Sequence, residues 1–297
     1  MVKTNYHTHT TFCDGKNSPE ELVEWAIQRN FTDLGFSAHS IFPFSSSMHL
    51  AAENHEKYYR EIRRLKEKFS RKIRILVGFE VEFLLPDYLP LQSNYSEFQP
   101  DFLIGAVHML SGKSAAALGF QGDFGDGHFS VDGPADHVKE GIQRVFDGDG
   151  KLACQVYFAS VREMVATCDF DIVAHPDVLR RRNSILRFFH EDASWYKDEL
   201  EKTARVLSQS GKIIEINTGG IARNCVTTPY PSPEFLRLIH EGGGKICINS
   251  DCHRMEYLDA AYDVAIKTAE TAGFKSIMVL SAENHWKEID IKDFGCQ

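Results

Sequence analysis

The sequence predicts an α/β chain folded as a (βα) barrel, and three observations predict it. Short apolar runs alternate with amphipathic helical stretches along most of the 297 residues, which implies parallel strands joined by helical crossovers. Six segments end in histidine, aspartate or glutamate: Tyr6-His7-Thr8-His9, Phe36-Ser37-Ala38-His39, Phe79-Glu80-Val81-Glu82, Ala106-Val107-His108, Val173-Ala174-His175 and Ser250-Asp251-Cys252-His253. Polar residues at the carboxyl ends of most strands are what a barrel presents at its active face. A doubly wound open sheet would instead gather them at one crevice, so six such strand ends favour the barrel.

Seven strands are expected at residues 2–6, 33–37, 73–79, 102–107, 171–174, 212–217 and 245–249, each a short apolar run. Residues 276–280 make a possible eighth strand or an edge. The first helix starts at Ser18-Pro19-Glu20-Glu21, where serine caps, proline takes the first position and glutamate reaches back three residues later. Its apolar face runs over 22–28. A charged helix over 53–68 sets Ile62, Leu65 and Phe69 on one side. Helices follow at 156–166, 193–208, 233–241 and 258–272, the third behind Ser232-Pro233-Glu234, which repeats the start signal. The stretch 112–150 is rich in glycine and aspartate and reads as a surface insertion. No internal repeat, low-complexity tract or linker interrupts the pattern, and residues 1–297 are read as one domain.

The net charge of −9 argues against a general nucleic-acid binder, because phosphate backbones attract basic surfaces. A small phosphorylated molecule stays open, since bound divalent ions would reverse the local field. Seven cysteines without disulfide spacing suggest reduced thiols and a cytoplasmic protein. Cys13, Cys225 and Cys252 fall near the candidate site and read as small apolar fillers. No apolar run is long enough for a membrane span, and no signal-peptide pattern opens the chain. Oligomeric state is left open.

A lone histidine after a strand is usually an ordinary hydrogen-bonded residue. Pairs spaced i, i+2 differ, because both side chains leave one face of a strand and reach one point. His7 with His9, and Asp251 with His253, are such pairs. Imidazole and carboxylate together suit zinc, manganese and iron, and Asp14, Glu80 and Asp251 could bridge neighbouring ions. The pattern points to a multinuclear metal hydrolase. The remaining histidines, His49, His55, His128, His137, His190, His240 and His285, lie in helical or loop stretches and read mostly as surface residues, with His128 a possible exception.

These motifs resemble those of the polymerase and histidinol phosphatase (PHP) superfamily: an early His-x-His, a strand-end histidine, a mid-chain histidine and a late Asp-x-His. The resemblance spans His7 to His253. It implies a distorted seven-stranded (βα) barrel holding two or three divalent ions, manganese, zinc or iron. Carried over residue by residue, the ligands fall on His7, His9, Asp14, His39, Glu80, His108, His175, Asp251 and His253. Glu80 is preferred to Glu82 as the first acidic position after Gly78-Phe79. Within the superfamily the chain most resembles the monofunctional histidinol-phosphate phosphatases, through Gly105-Ala106-Val107-His108, Ala174-His175-Pro176-Asp177 with its following arginines, and Asn217-Thr218-Gly219-Gly220 with Arg223. Phe129-Ser130-Val131-Asp132 stands where those enzymes have an aromatic and an aspartate. Two departures stand out: Ser37-Ala38-His39 replaces the usual Thr-Asp-His, and the 112–150 stretch is longer and richer in glycine.

The resemblance implies hydrolysis of L-histidinol phosphate to L-histidinol and phosphate, in histidine biosynthesis. Hydroxide held between the ions is the expected nucleophile, and the sequence does not identify the proton donor. Arginine matches a phosphate in a bidentate way, so Arg180 and Arg181 are the expected phosphate contacts, with Arg182 adjacent. Asn217 and Arg223 follow the strand without a metal ligand and are expected to read the rest of the substrate. Three alternatives remain: a nucleotide or another phosphorylated metabolite as substrate, a non-catalytic metal-binding domain, and an amidohydrolase. The second would be expected to have lost ligands. The third usually needs a bridging lysine, and none stands at a strand end.

Overall fold

The computed structural model describes residues 1–40, 46 and 48–295. Among the described residues eleven strands run in chain order: β1 (Thr4–Asn5), β2 (Asp33–His39), β3 (Arg74–Glu82), β4 (Phe102–Ala106), β5 (Met109–Ser111), β6 (His128–Ser130), β7 (Ile172–Val173), β8 (Ile213–Asn217), β9 (Lys245–Asn249), β10 (Ser276–Leu280) and β11 (Trp286–Asp290). Seven form one parallel sheet in the order β1-β2-β3-β4-β7-β8-β9. Its two edges meet beyond the strands. Thr8 bridges Cys252, His9 N–H donates to the Cys252 carbonyl at 2.8 Å, and Cys252 N–H donates to the His7 carbonyl at 3.0 Å. The result is a nearly closed, distorted barrel of seven strands, as expected.

The helices are α1 (Pro19–Gln28), α2 (His55–Lys68), α3 (Gly112–Ala117), α4 (Ala135–Phe146), α5 (Gly150–Thr167), α6 (Arg180–Leu186), α7 (Ser194–Gln209), α8 (Gly219–Ala222), α9 (Pro233–Glu241) and α10 (Tyr262–Ala272). Helix α1 opens on the expected capping box, with Ser18 N–H donating to Glu21 Oε2 at 2.8 Å. Helix α5 begins six residues before its expected start, because Asp149 caps it by accepting from Leu152 N–H at 2.9 Å. The 112–150 stretch carries α3, β6, which pairs with β5 just before the stretch, and α4, and Val138, Ile142, Val145 and Phe146 of α4 are buried. His55, expected at the surface, is 6% exposed and stacked on Phe79 at 5.3 Å. No described helix is long and apolar enough to cross a membrane.

The lower barrel interior is apolar, built from Tyr6, Leu76, Phe102, Ile104, Ile172 and Ile213. Phe102 fills it because β2 and β3 have glycine beside its ring. A Cβ at Gly35 would lie 2.8 Å from Phe102 Cζ, and one at Gly78 2.6 Å. Strand β10 is not an eighth stave. It pairs antiparallel with β11, and this hairpin closes the barrel floor. Leu280 N–H donates to Tyr6 Oη at 2.9 Å, and Trp286 packs edge-on against Tyr6 at 5.2 Å while its indole N–H donates to Asp171 at 3.1 Å.

This packing makes a test. Gly78→Ala should destabilise the protein by about 1–3 kcal/mol in denaturant titration, the usual range for overpacking. Phe102→Leu in the Gly78→Ala background should recover part of that loss. Additive losses in the double variant would show that the ring and the glycine do not constrain one another.

Candidate metal centre

All nine expected ligands converge at the carboxyl ends of the strands. His7 and His9 follow β1, His39 ends β2, Glu80 lies in β3, His108 follows β4, His175 follows β7, and Asp251 and His253 follow β9, with Asp14 on the loop after β1. Register puts His39 beside Glu80 across the β2–β3 ladder. Asp251 has φ of 49°, a left-handed backbone that aspartate tolerates better than most residues. Nitrogen and oxygen atoms face one another throughout: His7 Nε2 to Glu80 Oε2 is 3.2 Å, His9 Nε2 to Asp251 Oδ1 3.2 Å, His39 Nδ1 to Glu80 Oε2 2.9 Å, and His175 Nε2 to Glu80 Oε1 3.2 Å. Asp14 closes the outer corner at 3.1 Å from His253 Nε2 and 3.7 Å from His39 Nε2.

These separations fit donors arranged around a shared cation. With metal–nitrogen bonds of about 2.05 Å, neighbouring tetrahedral ligands stand roughly 3.3 Å apart. Three groups have ligand atoms all within 4.8 Å of one another: His9, Asp14, His39 and His253; His7, Glu80 and His175; and His7, His9 and Asp251. His7 Nε2, His9 Nε2, Asp14 Oδ1 and Glu80 Oε2 are buried without a hydrogen-bond partner in the protein. Lone pairs buried in that way are costly unless something electrophilic takes them, so the donor set fits divalent cations.

Several imidazoles have their outer nitrogen fixed by the protein, leaving the other aimed inward. His7 Nδ1–H donates to Glu215 Oε1 at 2.7 Å, His108 Nδ1–H to Glu82 Oε2 at 2.8 Å, and His253 Nδ1–H to the Asp251 carbonyl at 3.0 Å. Such partners orient metal-binding imidazoles and set their tautomer. Glu82 also accepts from the backbone N–H groups of His108 and Met109, so it positions His108 while Glu80 faces the cluster. Glu215 was not foreseen as a site residue. It is fully buried in β8 and also accepts from His175 N–H at 3.0 Å, Asn217 at 2.8 Å and Asn249 at 3.0 Å. An acid inside the apolar run Ile213-Ile214-Glu215-Ile216 was its one signal.

The electrostatics are divided. Burial disfavours charge on His7, yet Glu215, Glu80 and Asp251 outweigh it and hold its pKa well above the ordinary value. His9 is pushed down to about 3 by burial and by His253 and His39. Burial also opposes charge on His108, but Glu80 and Glu82 lift it to about 9. Burial would raise Glu80, and the surrounding imidazoles instead hold it well below the usual carboxylate range. Ala38, at the position of the missing aspartate, lies in the apolar layer between strands and helices, on the strand face opposite His39.

A cavity of about 940 Å³ opens above the cluster, lined by Asp14, His39, His108, Asp251 and His253 together with Arg181, Arg182 and Arg223. Of the four expected substrate contacts, two face it. Arg223 donates to Asp251 Oδ2 at 2.7 Å, and Arg181 to Asp132 Oδ2 at 2.8 Å. Arg180 turns the other way, donating to Glu191 Oε2 at 3.1 Å, Thr228 Oγ1 at 2.9 Å and the Pro229 carbonyl at 3.2 Å. Asn217 is fully buried, between Glu215 and the Gly219 N–H. His128 lies outside this cavity, beside a separate groove near Lys113. His49, read as a surface residue, stands 5.6 Å from the His39 ring. Cys13 lines the cavity, its Sγ 3.6 Å from His9 Nδ1.

The PHP domain model matches residues 5–219. The chain is 23% identical to a "probable histidinol-phosphatase" of Schizosaccharomyces pombe, over 92% of this chain and 88% of that one. A protein of the same name from Deinococcus radiodurans is 22% identical, over 91% and 94%. Among solved structures, histidinol phosphate phosphatase from Lactococcus lactis, complexed with zinc, L-histidinol and phosphate, has a TM-score of 0.65 at 21% identity, over 93% of this chain and 96% of that one. A candidate histidinol phosphatase from Listeria monocytogenes has a TM-score of 0.74 at 20% identity, over 88% and 99%. With its buried cluster of histidines and carboxylates, the chain belongs to the PHP domain family, as a metal-dependent phosphoesterase.

Proposed function

We propose that the protein hydrolyses L-histidinol phosphate to L-histidinol and phosphate. The observation that carries the reading is the convergence of six imidazoles and three carboxylates beneath a cavity that Arg181 and Arg223 face. Relatives bearing the histidinol-phosphatase name along most of the chain support the choice of substrate. The fold and donor set are equally compatible with another phosphorylated metabolite, which is the second reading.

His7, His9, Asp14, His39, Glu80, His108, His175, Asp251 and His253 would hold two to three divalent ions, manganese, zinc or iron. When bound, such ions polarise phosphoryl oxygens and make a neighbouring water acidic enough to attack phosphorus. The protein's own part is placement. Asp251 fixes the Arg223 guanidinium beside the cluster, and Asp132 fixes that of Arg181, so both are pre-aimed at an anion in the cavity. Asp132 Oδ1 accepts from Ser130 Oγ at 2.6 Å while Oδ2 accepts from Arg181. With both oxygens accepting, Asp132 is an orienting carboxylate and a poor proton donor to the leaving alkoxide.

Protein purified without chelator should contain two to three equivalents of divalent transition metal by elemental analysis. Less than one equivalent under several metal supplies would contradict the ligand assignment. Turnover of histidinol phosphate should exceed that of a nucleotide panel, and a preference for nucleotides would leave only the broader phosphoesterase.

The two arginines should separate. Arg181→Met should lower kcat/KM for histidinol phosphate by about one to three orders of magnitude, since charge-assisted hydrogen bonds contribute roughly 1.5–3 kcal/mol each. Its metal content should not change. Arg180→Met should mainly destabilise the fold, because it strands the buried carboxylate of Asp177. A stable Arg180→Met with the larger kinetic loss would reverse the assignment.

A further inference from the structure

The cavity carries more positive charge than one phosphate needs. Its acidic residues are already engaged: Asp14 and Asp251 belong to the ligand cluster, and Asp132 accepts from Arg181. Among its cations, Arg223 is tied to Asp251. Lys16, Arg182 and Arg254 also line it, and no carboxylate among the described residues pairs with any of them, Arg182 donating instead to the Gly133 carbonyl. Going round the barrel, Arg181 follows β7, Arg223 follows β8, Arg254 follows β9 and Lys16 follows β1. The cations therefore form an arc over half the rim, in a chain whose net charge is −9.

Lys16 and Arg254 are anchored to the metal ligands through their backbones. Lys16 lies two residues after Asp14, and Arg254 directly after His253. Lys16 N–H donates to the His253 carbonyl at 2.9 Å, and Met255 N–H donates to Asn17 Oδ1 at 3.0 Å, so the two loops are laced together. Gly15 lets this corner close, since a Cβ there would lie 2.5 Å from the His9 carbonyl carbon. The two cationic side chains thus rise from one fixed platform at the Asp14–His253 corner, across the seam between β9 and β1.

We infer that Lys16 and Arg254 form a second anion subsite, so that the enzyme also accepts phosphate monoesters bearing another acidic group a short chain away from the ester. A phosphoryl group at the cluster would be met by Arg181 and Arg223, and a carboxylate or second phosphate would be met by this pair. The inference rests on the phosphatase reading only for what occupies the cluster end, and direct binding tests it separately.

Metal-loaded protein is titrated calorimetrically with 3-phosphonopropionate and 4-phosphonobutyrate, which cannot be hydrolysed, and with propyl- and butylphosphonate as matched controls. At one length at least, the phosphonocarboxylate should bind tenfold or more tightly than its control. In Lys16→Ala/Arg254→Ala that ratio should fall below threefold, while the alkylphosphonate Kd moves threefold or less. No preference at either length, a preference that survives the double variant, or an equal loss for both ligand types would overturn the subsite. In parallel, wild type should turn over 3-phosphoglycerate faster than glycerol 3-phosphate. Absence of turnover on every ester, with the binding preference intact, would count against the phosphatase reading alone.

Discussion

Glu80 is the charge on which the upper half of the molecule is organised. Its carboxylate is 1% exposed and stands within 3.5 Å of imidazole nitrogens from His7, His9, His39, His108 and His175. A carboxylate taken out of water at that depth is tolerated only when opposite charge surrounds it. The five histidines come from the ends of β1, β2, β4 and β7, so this one side chain sets where four strand ends must meet. Its position in β3 is in turn fixed by the ladder, where Glu80 pairs with His39 on one side and Ile104 on the other.

Around that hub, several imidazoles have their second nitrogen held, and this explains polar residues buried in otherwise apolar strands. Glu215 holds His7 and receives the backbone of His175, while Asn217 and Asn249 fill its remaining lone pairs. Glu82 does the same for His108. Below these groups the barrel axis turns apolar, with Phe102 and Tyr6 filling the space and the β10–β11 hairpin sealing the floor. The interior thus changes character along its axis.

What was legible in the sequence follows from what has a period. Seven strands were readable because apolar runs alternate with amphipathic helices, and the pairs His7/His9 and Asp251/His253 because strand geometry sends i and i+2 to one face, whereas the full set of nine rested on the family resemblance. Side-chain direction beyond a strand end has no such period. Arg180 and Arg181 are neighbours in sequence, yet α6 starts between the cavity and the core, and its first turn sends one guanidinium to Glu191 and the next to Asp132. Asn217 reads in sequence as a substrate contact, because nothing there shows that its amide is spent on Glu215. His55 looked exposed because its neighbours in sequence are charged, while the aromatic rings that bury it, Phe79 and Phe98, come from elsewhere in the chain. The glycine-rich 112–150 stretch hid a helix whose buried face depends on contacts with Phe129 and Phe124. Residues 276–280 were strand-like, but only pairing with β11 decided that they close the floor.

The acidic net charge and the cationic rim are compatible because they act over different distances. Surface carboxylates beyond about 8–10 Å are screened at physiological salt, so the overall −9 weakens approach of a long polyanion more than it weakens the field within the cavity. Inside, three ligand carboxylates would be offset by the ions they hold, and Asp132 by Arg181. The field left at the mouth is then set by side chains on the β7, β8, β9 and β1 loops rather than by composition. A small anion that enters the cavity meets that local field, whereas a long polyanion also meets the chain's overall negative charge.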